Sequence, residues 1–167
     1  MMILLYFWLR KENYFIYHKT TLNKVEFEIE QVDKLLNKYE DLIKRCEEKE
    51  PELVELTALA SVLHSFYNGI ENIFVVIAKG IDGEKPNDSN WHKKLLLQMR
   101  EFNDKRKEII SEDLKDKIKD YLGFRHFYRH SYSFYLDWKE MKYLVSFIMD
   151  VWNQTKEELN DFSNSLK

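Results

Sequence analysis

Apolar residues recur at alternating steps of four and three along most of the chain, the spacing that gathers side chains on one face of an α-helix. Val25, Ile29, Val32, Leu36, Tyr39, Ile43 and Cys46 mark a first helix, with Glu and Lys filling its other faces. Pro51 stands where a second helix should begin, because proline is tolerated in a first turn. Leu53, Leu56, Ala60, Leu63, Tyr67, Ile70, Phe74 and Ile77 continue the same steps, and Leu59, Val62, Phe66, Ile73 and Val76 widen the stripe. A helix apolar on most of its sides belongs at the centre of a bundle.

Gly80, Gly83 and Pro86 form the loop that follows, and Asp88 or Ser89 is placed to cap a third helix from Trp91 through Leu95, Leu96, Met99 and Phe102. Ser111 is placed to cap a fourth, carried by Leu114, Ile118 and Leu122, with a kink expected at Gly123. A last helix runs from about Trp138, with Met141, Leu144, Ile148, Val151, Trp152, Thr155, Leu159 and Phe162 on its apolar face. No strand-like alternation or internal repeat interrupts the pattern. The expected fold is all-α, an antiparallel bundle of four to five helices.

Composition agrees with that reading. The 167 residues include only four glycines and two prolines, against 44% hydrophobic and 33% charged residues, a poor supply of turn formers for a sheet protein. The length fits one domain with a real core. The segment Met1 to Leu9 is apolar but too short to span a bilayer, with no basic residues before it and no small-residue cleavage site after it. We read residues 1–20 as an extension ahead of a domain that covers 21–167, or as a docking segment. The single Cys46 excludes an internal disulfide and fits a reducing, cytoplasmic setting.

Two features break the helical background. Thr57, Ser61, His64, Asn68 and Glu71 draw a polar line along the otherwise buried central helix, either a satisfied seam or the lining of a cleft. The second is GFRHFYRHSYSFYL, residues 123–136, with two arginines, two of the five histidines, six aromatic rings and no acid. The net charge is −3, so an attraction for nucleic acid has to come from a local patch, and this segment is one. Arginine holds phosphate, histidine exchanges protons near neutral pH, and aromatic rings stack on unpaired bases. Within the segment, Arg125, His130 and Tyr132 spell R-x4-H-x-Y. A five-residue offset turns about 140°, so Arg125 and His130 share no face of a straight helix. They meet only if the helix is distorted, or if a two-fold dimer presents the motif from both chains across one cleft.

Other readings of these residues stay open. His126 and His130 at i and i+4 have the spacing of two zinc-binding imidazoles, with Glu71, His64 or His92 as a third ligand. A bundle that only binds a nucleotide or a protein is another. His64 and His92 read as core or rim histidines, Arg129 as a phosphate-contacting or solvent-facing residue, and Glu71 as a carboxylate able to orient an arginine or histidine of the motif.

The motif, with LASVLHSFYNGIENIF (59–74), WHKKLL (91–96) and YLGFRHFYRHSYSFYLDW (121–138), resembles the HEPN superfamily. More closely it resembles the HepT-like ribonuclease toxins that are paired with minimal nucleotidyltransferase antitoxins. The similarity covers the chain from about Thr21. It implies a homodimeric, cytoplasmic endoribonuclease that needs no metal and no other cofactor and does not act at a membrane. It implies that Arg125 and His130 are the catalytic pair, with His126, Glu71 and Arg129 in support. His126 occupies a position where that group more often has asparagine. Tyr132 matches the tyrosine to which the partner nucleotidyltransferase transfers AMP.

Overall fold

The computed structural model describes the backbone of residues 2–166 and the side chains of residues 18–166. Among the described residues five α-helices make up the architecture: α1 (Met2–Glu48), α2 (Leu53–Ile77), α3 (Trp91–Arg100), α4 (Glu112–His130) and α5 (Trp138–Ser165). No β-strand forms among the described residues, and the all-α expectation holds. No described helix is long and apolar enough to cross a membrane. The suggested extension over residues 1–20 lies, up to residue 17, outside the described side chains.

α2 is the hub, packed against each of the other four helices. It runs antiparallel to α1. Arg45 pairs with Glu55 near the turn, a Cβ on Gly69 would run into Val32, and one on Gly80 would overlap Thr21. Rising numbers on α2 thus meet falling numbers on α1, and two glycines allow the close approach. α4 and α5 are antiparallel in the same way: the Tyr121 hydroxyl donates to the Leu144 carbonyl at 2.8 Å, and the Ser111 hydroxyl donates to Glu158 at 2.7 Å. At the centre Phe66 meets Tyr121 and Trp152 edge to face, with ring centroids 5.0 and 6.1 Å away. The Trp152 indole N–H, which needs a partner when buried, donates to Asp33 on α1 at 2.7 Å.

Local chemistry moves several expected boundaries. α2 starts at Leu53 rather than at Pro51, because the Glu55 carboxylate reaches back to accept the Glu52 backbone N–H at 3.0 Å and makes Glu52 the cap. α3 is preceded by Asn90, not capped by Asp88 or Ser89; Asp88 spends one carboxylate oxygen on the Asn90 N–H at 2.9 Å. α3 also ends at Arg100, which leaves Phe102 72% exposed instead of on its apolar face. Ser111 does cap α4, accepting from Leu114 N–H at 3.2 Å. α4 then runs unbroken through Gly123, where a kink was expected, because its i to i−4 ladder needs no side chain there.

The connection between α3 and α4 has little regular structure of its own. It is fastened by Arg106, whose side chain is fully buried. Its Nε and Nη2 donate to the two oxygens of Asp82 at 2.7 Å each. Nη1 donates to the carbonyls of Glu101 and Lys107, and Nη2 also to that of Gln98. All five guanidinium hydrogens are used.

Candidate active site

Leu114, Ile118, Tyr121 and Leu122 turn one face of α4 into the core, and Arg125 is the next residue on that face. Its side chain is 9% exposed. A guanidinium in such a place has to be matched by acceptors. The polar line along α2 supplies them. Nε donates to Asn68 Oδ1 at 2.9 Å, and Nη2 lies 3.4 Å from Glu71 Oε1. Nη1 is 3.4 Å from Nε2 of His92, the second residue of α3.

Glu71 collects further donors. Oε2 accepts from the Tyr67 hydroxyl at 3.1 Å and contacts His92 Nδ1 at 2.5 Å. Burial, and then the neighbouring Glu71 carboxylate, hold the Tyr67 phenol well above its usual range, so it stays an O–H donor. The polar line on α2 is therefore no idle seam: Asn68 and Glu71 are the seat of Arg125. His64, one turn earlier, contacts the Asn68 amide through Nε2 at 3.0 Å and packs its ring 5.1 Å from that of Tyr128.

The rest of the motif faces outward. His126 is half-buried with its ring edge-on to His92 at 5.7 Å. Burial, followed by His92 and the charges of Arg125, Lys93 and Arg129, lowers its pKa below the ordinary histidine value. Burial and then Arg125 and Arg129 do the same to His64. Arg129 and His130 are exposed at the end of α4, and the backbone leaves the helix at Ser131. A short 3-10 turn, Ser133–Tyr135, follows. Tyr132 is 72% exposed and stacks on Phe134, the ring planes 5° apart and the centroids 5.4 Å.

Of the residues expected to work together, the fold joins Arg125, Glu71 and His126 with Asn68, His64 and His92. It leaves Arg129, His130 and Tyr132 on the surface beyond them. Among the described residues no group of three or more His, Cys, Asp or Glu side chains is placed to hold a metal ion, so the zinc alternative lacks its third ligand.

A family model described as HepT-like protein matches residues 58–166, a span that contains every one of these side chains. The chain belongs to the HepT-like family. No curated protein and no solved structure matches it. The family is one of HEPN-like toxins, and membership places this HepT-like chain with proteins that function in toxin–antitoxin pairs. His92, read from the sequence as a core or rim histidine or a third zinc ligand, is instead a partner of Glu71 and Arg125. Its signal was present in WHKKLL, a polar ring at the head of an apolar helix, but its partner Glu71 lies 21 residues earlier.

Proposed function

We propose that this protein is the toxin of a toxin–antitoxin pair, an endoribonuclease that works without metal on single-stranded RNA in the cytoplasm. The observation that carries this reading is the arrangement of Arg125: a guanidinium fixed in advance by Asn68 and Glu71, on the helix that ends in an exposed histidine. In the proposed reaction His130 takes the proton of a ribose 2′-hydroxyl, and that oxygen attacks the adjacent phosphorus. The 5′-oxygen of the next nucleotide leaves and is protonated. Arg125 stabilises the charge that gathers on the phosphoryl oxygens, and an arginine that is already oriented needs no reorganisation to do so. Arg129 adds positive charge along the path of the RNA, and the exposed rings of Tyr132 and Phe134 suit stacking on unpaired bases.

The helix keeps Arg125 inward and His130 outward, so the reading includes a homodimer in which two copies of α4 face one groove. Regulation follows from Tyr132. A nucleotidyltransferase antitoxin that adds AMP to its hydroxyl would place bulk and negative charge where the RNA backbone has to lie. A chain that remained monomeric would leave arginine and histidine apart and act only as a binding bundle.

The test is incubation of the purified protein with RNA in the presence of a strong chelator. Products ending in a cyclic phosphate, with 5′-hydroxyl partners, are expected from the parent and not from His130→Ala. Cleavage that the chelator abolishes, or that survives His130→Ala unchanged, would remove the reading.

A further inference from the structure

The two contacts of the His92 ring fix which nitrogen carries its proton. Arg125 Nη1 can only donate, so His92 Nε2 faces it as an acceptor. Nδ1 then carries the hydrogen and donates it to Glu71 Oε2 at 2.5 Å. In this state the ring is neutral and spans two charged groups that also meet directly, Glu71 Oε1 and Arg125 Nη2. Asn68 takes the Nε hydrogen, which leaves one hydrogen on each Nη nitrogen beyond these contacts. Arg125 is held from both α2 and α3, and His92 is the whole of the α3 contribution.

A second proton on His92 would undo this. Nε2 would turn from acceptor to donor and face another donor. An imidazolium would also lie against a guanidinium with only 12% of the imidazole side chain exposed, where the repulsion is weakly screened. Glu71 faces the ring through Oε2 and the arginine through Oε1, so one carboxylate would then have to balance two cations. The groups around His92 add to the effect. From α4 come Arg125 and His126; on its own helix are Trp91, with the ring centroid 3.7 Å away, and Lys93; Lys85 of the preceding loop lies over the Trp91 face. Among them Glu71 is the single acid, and it is shared.

We propose that His92 is a positioning residue for Arg125. With Nε2 as an acceptor it holds the guanidinium in the orientation that receives phosphate; with both ring nitrogens protonated it would face the guanidinium as a donor and expel it. The consequence for rate rests on the proposed ribonuclease reading, whereas the coupling between the two side chains does not.

The experiment is ¹⁵N NMR on the full chain labelled at histidine and arginine, with no RNA present. The parent should show His92 as the Nδ1–H tautomer near neutral pH and a protected Arg125 Nε–H signal. That signal should fade in step with the protonation of His92. His92→Gln offers an acceptor oxygen and a donor amide but takes no proton, so it should keep the Arg125 signal across the acid range. His92→Ala should lose it at every pH. In RNA cleavage, His92→Ala should lower kcat by about 10²-fold, the usual scale for a misplaced reacting group, with KM little moved. His92→Gln should restore the rate and flatten the acid limb of the pH profile. An Nε2–H tautomer, or an Arg125 signal indifferent to the titration of the parent, would overturn the proposal even if the Ala variant failed to fold. If the protein cleaves no RNA at any pH, the NMR measurements still decide the matter, and only the ribonuclease reading falls.

Discussion

Arg125 points into the bundle and His130 into solvent, although five residues of one continuous helix separate them. The arginine sits on the core-facing stripe of α4 after Leu122, and the histidine ends the helix about 140° further round. A single α4 therefore does not offer both groups to one phosphate from the same side, which is why the proposed reading includes a homodimer.

That relationship makes a complementation prediction. Arg125→Ala and His130→Ala should each abolish RNA cleavage and toxicity while leaving helix content intact; loss of general acid–base assistance alone is worth about 10² to 10⁴ in rate. Mixing equal amounts of the two inactive chains should return about a quarter of the parent's activity, because random pairing makes half of the dimers mixed and one of the two composite sites in a mixed dimer is whole. Sedimentation should show the dimer. No recovery on mixing, with mixed dimers demonstrably formed, would mean that each site draws both residues from one chain.

Tyr132 should accept AMP from a cognate nucleotidyltransferase supplied with ATP and magnesium, and the modified protein should lose its activity. The phenol is the most exposed of the three tyrosines in the 123–136 segment: Tyr128 is half-buried and Tyr135 is 63% exposed. Intact mass after co-expression should show adducts of AMP mass on the parent and none on Tyr132→Phe. Adducts mapping to Tyr135 would keep the mechanism and move the residue.

The core is expected to fail most sharply where α2, α4 and α5 meet. Phe66 has no exposed surface and contacts both Tyr121 and Trp152, so Phe66→Ala should cost about 3 to 5 kcal/mol in a denaturant titration. Phe127→Ala, on the exposed face of α4, serves as the control and should change stability far less.

Stability should fall as pH drops below the ordinary histidine value near 6.5. His18, His64 and His126 all have lowered pKa values in the fold, with burial as the leading cause. The sign follows from proton counting. Between the lowered folded value and the unfolded one the unfolded chain holds more protons, so stability rises with pH and is lost on acidification through that window. Thermal midpoints measured from pH 7.5 down to 5 should decline, and His64→Gln should reduce the slope.

Much of this architecture can be read from spacing alone. The stripes through Val25–Cys46, Leu56–Ile77 and Trp138–Phe162 follow the buried faces of α1, α2 and α5, because burial obeys the same period that the apolar residues display; Leu53, expected to start the second stripe, is exposed. Arg125 was legible as part of a motif, and Glu71 as a carboxylate able to orient an arginine or histidine of it; that the arginine also meets Asn68 and His92 was not, since it depends on how α4 lies across α2 and α3. Pro51, Phe102 and Gly123 misled for local reasons: a glutamate reached back to cap α2, α3 stopped two residues early, and a glycine in an intact ladder left no trace. His92 stayed hidden because a histidine beside a tryptophan at a helix start reads as a rim residue until its partner is in view.

The buried Asp82–Arg106 pair has a mechanical meaning for everything above. Lys105, Arg106 and Lys107 stand in a row that a trypsin-like protease would cut in an open loop, yet the central one is sealed by five donated hydrogens. Because Arg106 also grips the Gln98 carbonyl, α3 is clamped at its far end and His92 stands at the head of a braced strut. The α3 side of the site is thus braced at both ends, whereas the aromatic turn after His130 is exposed; in the proposed reading, fitting to different RNAs would fall to that turn.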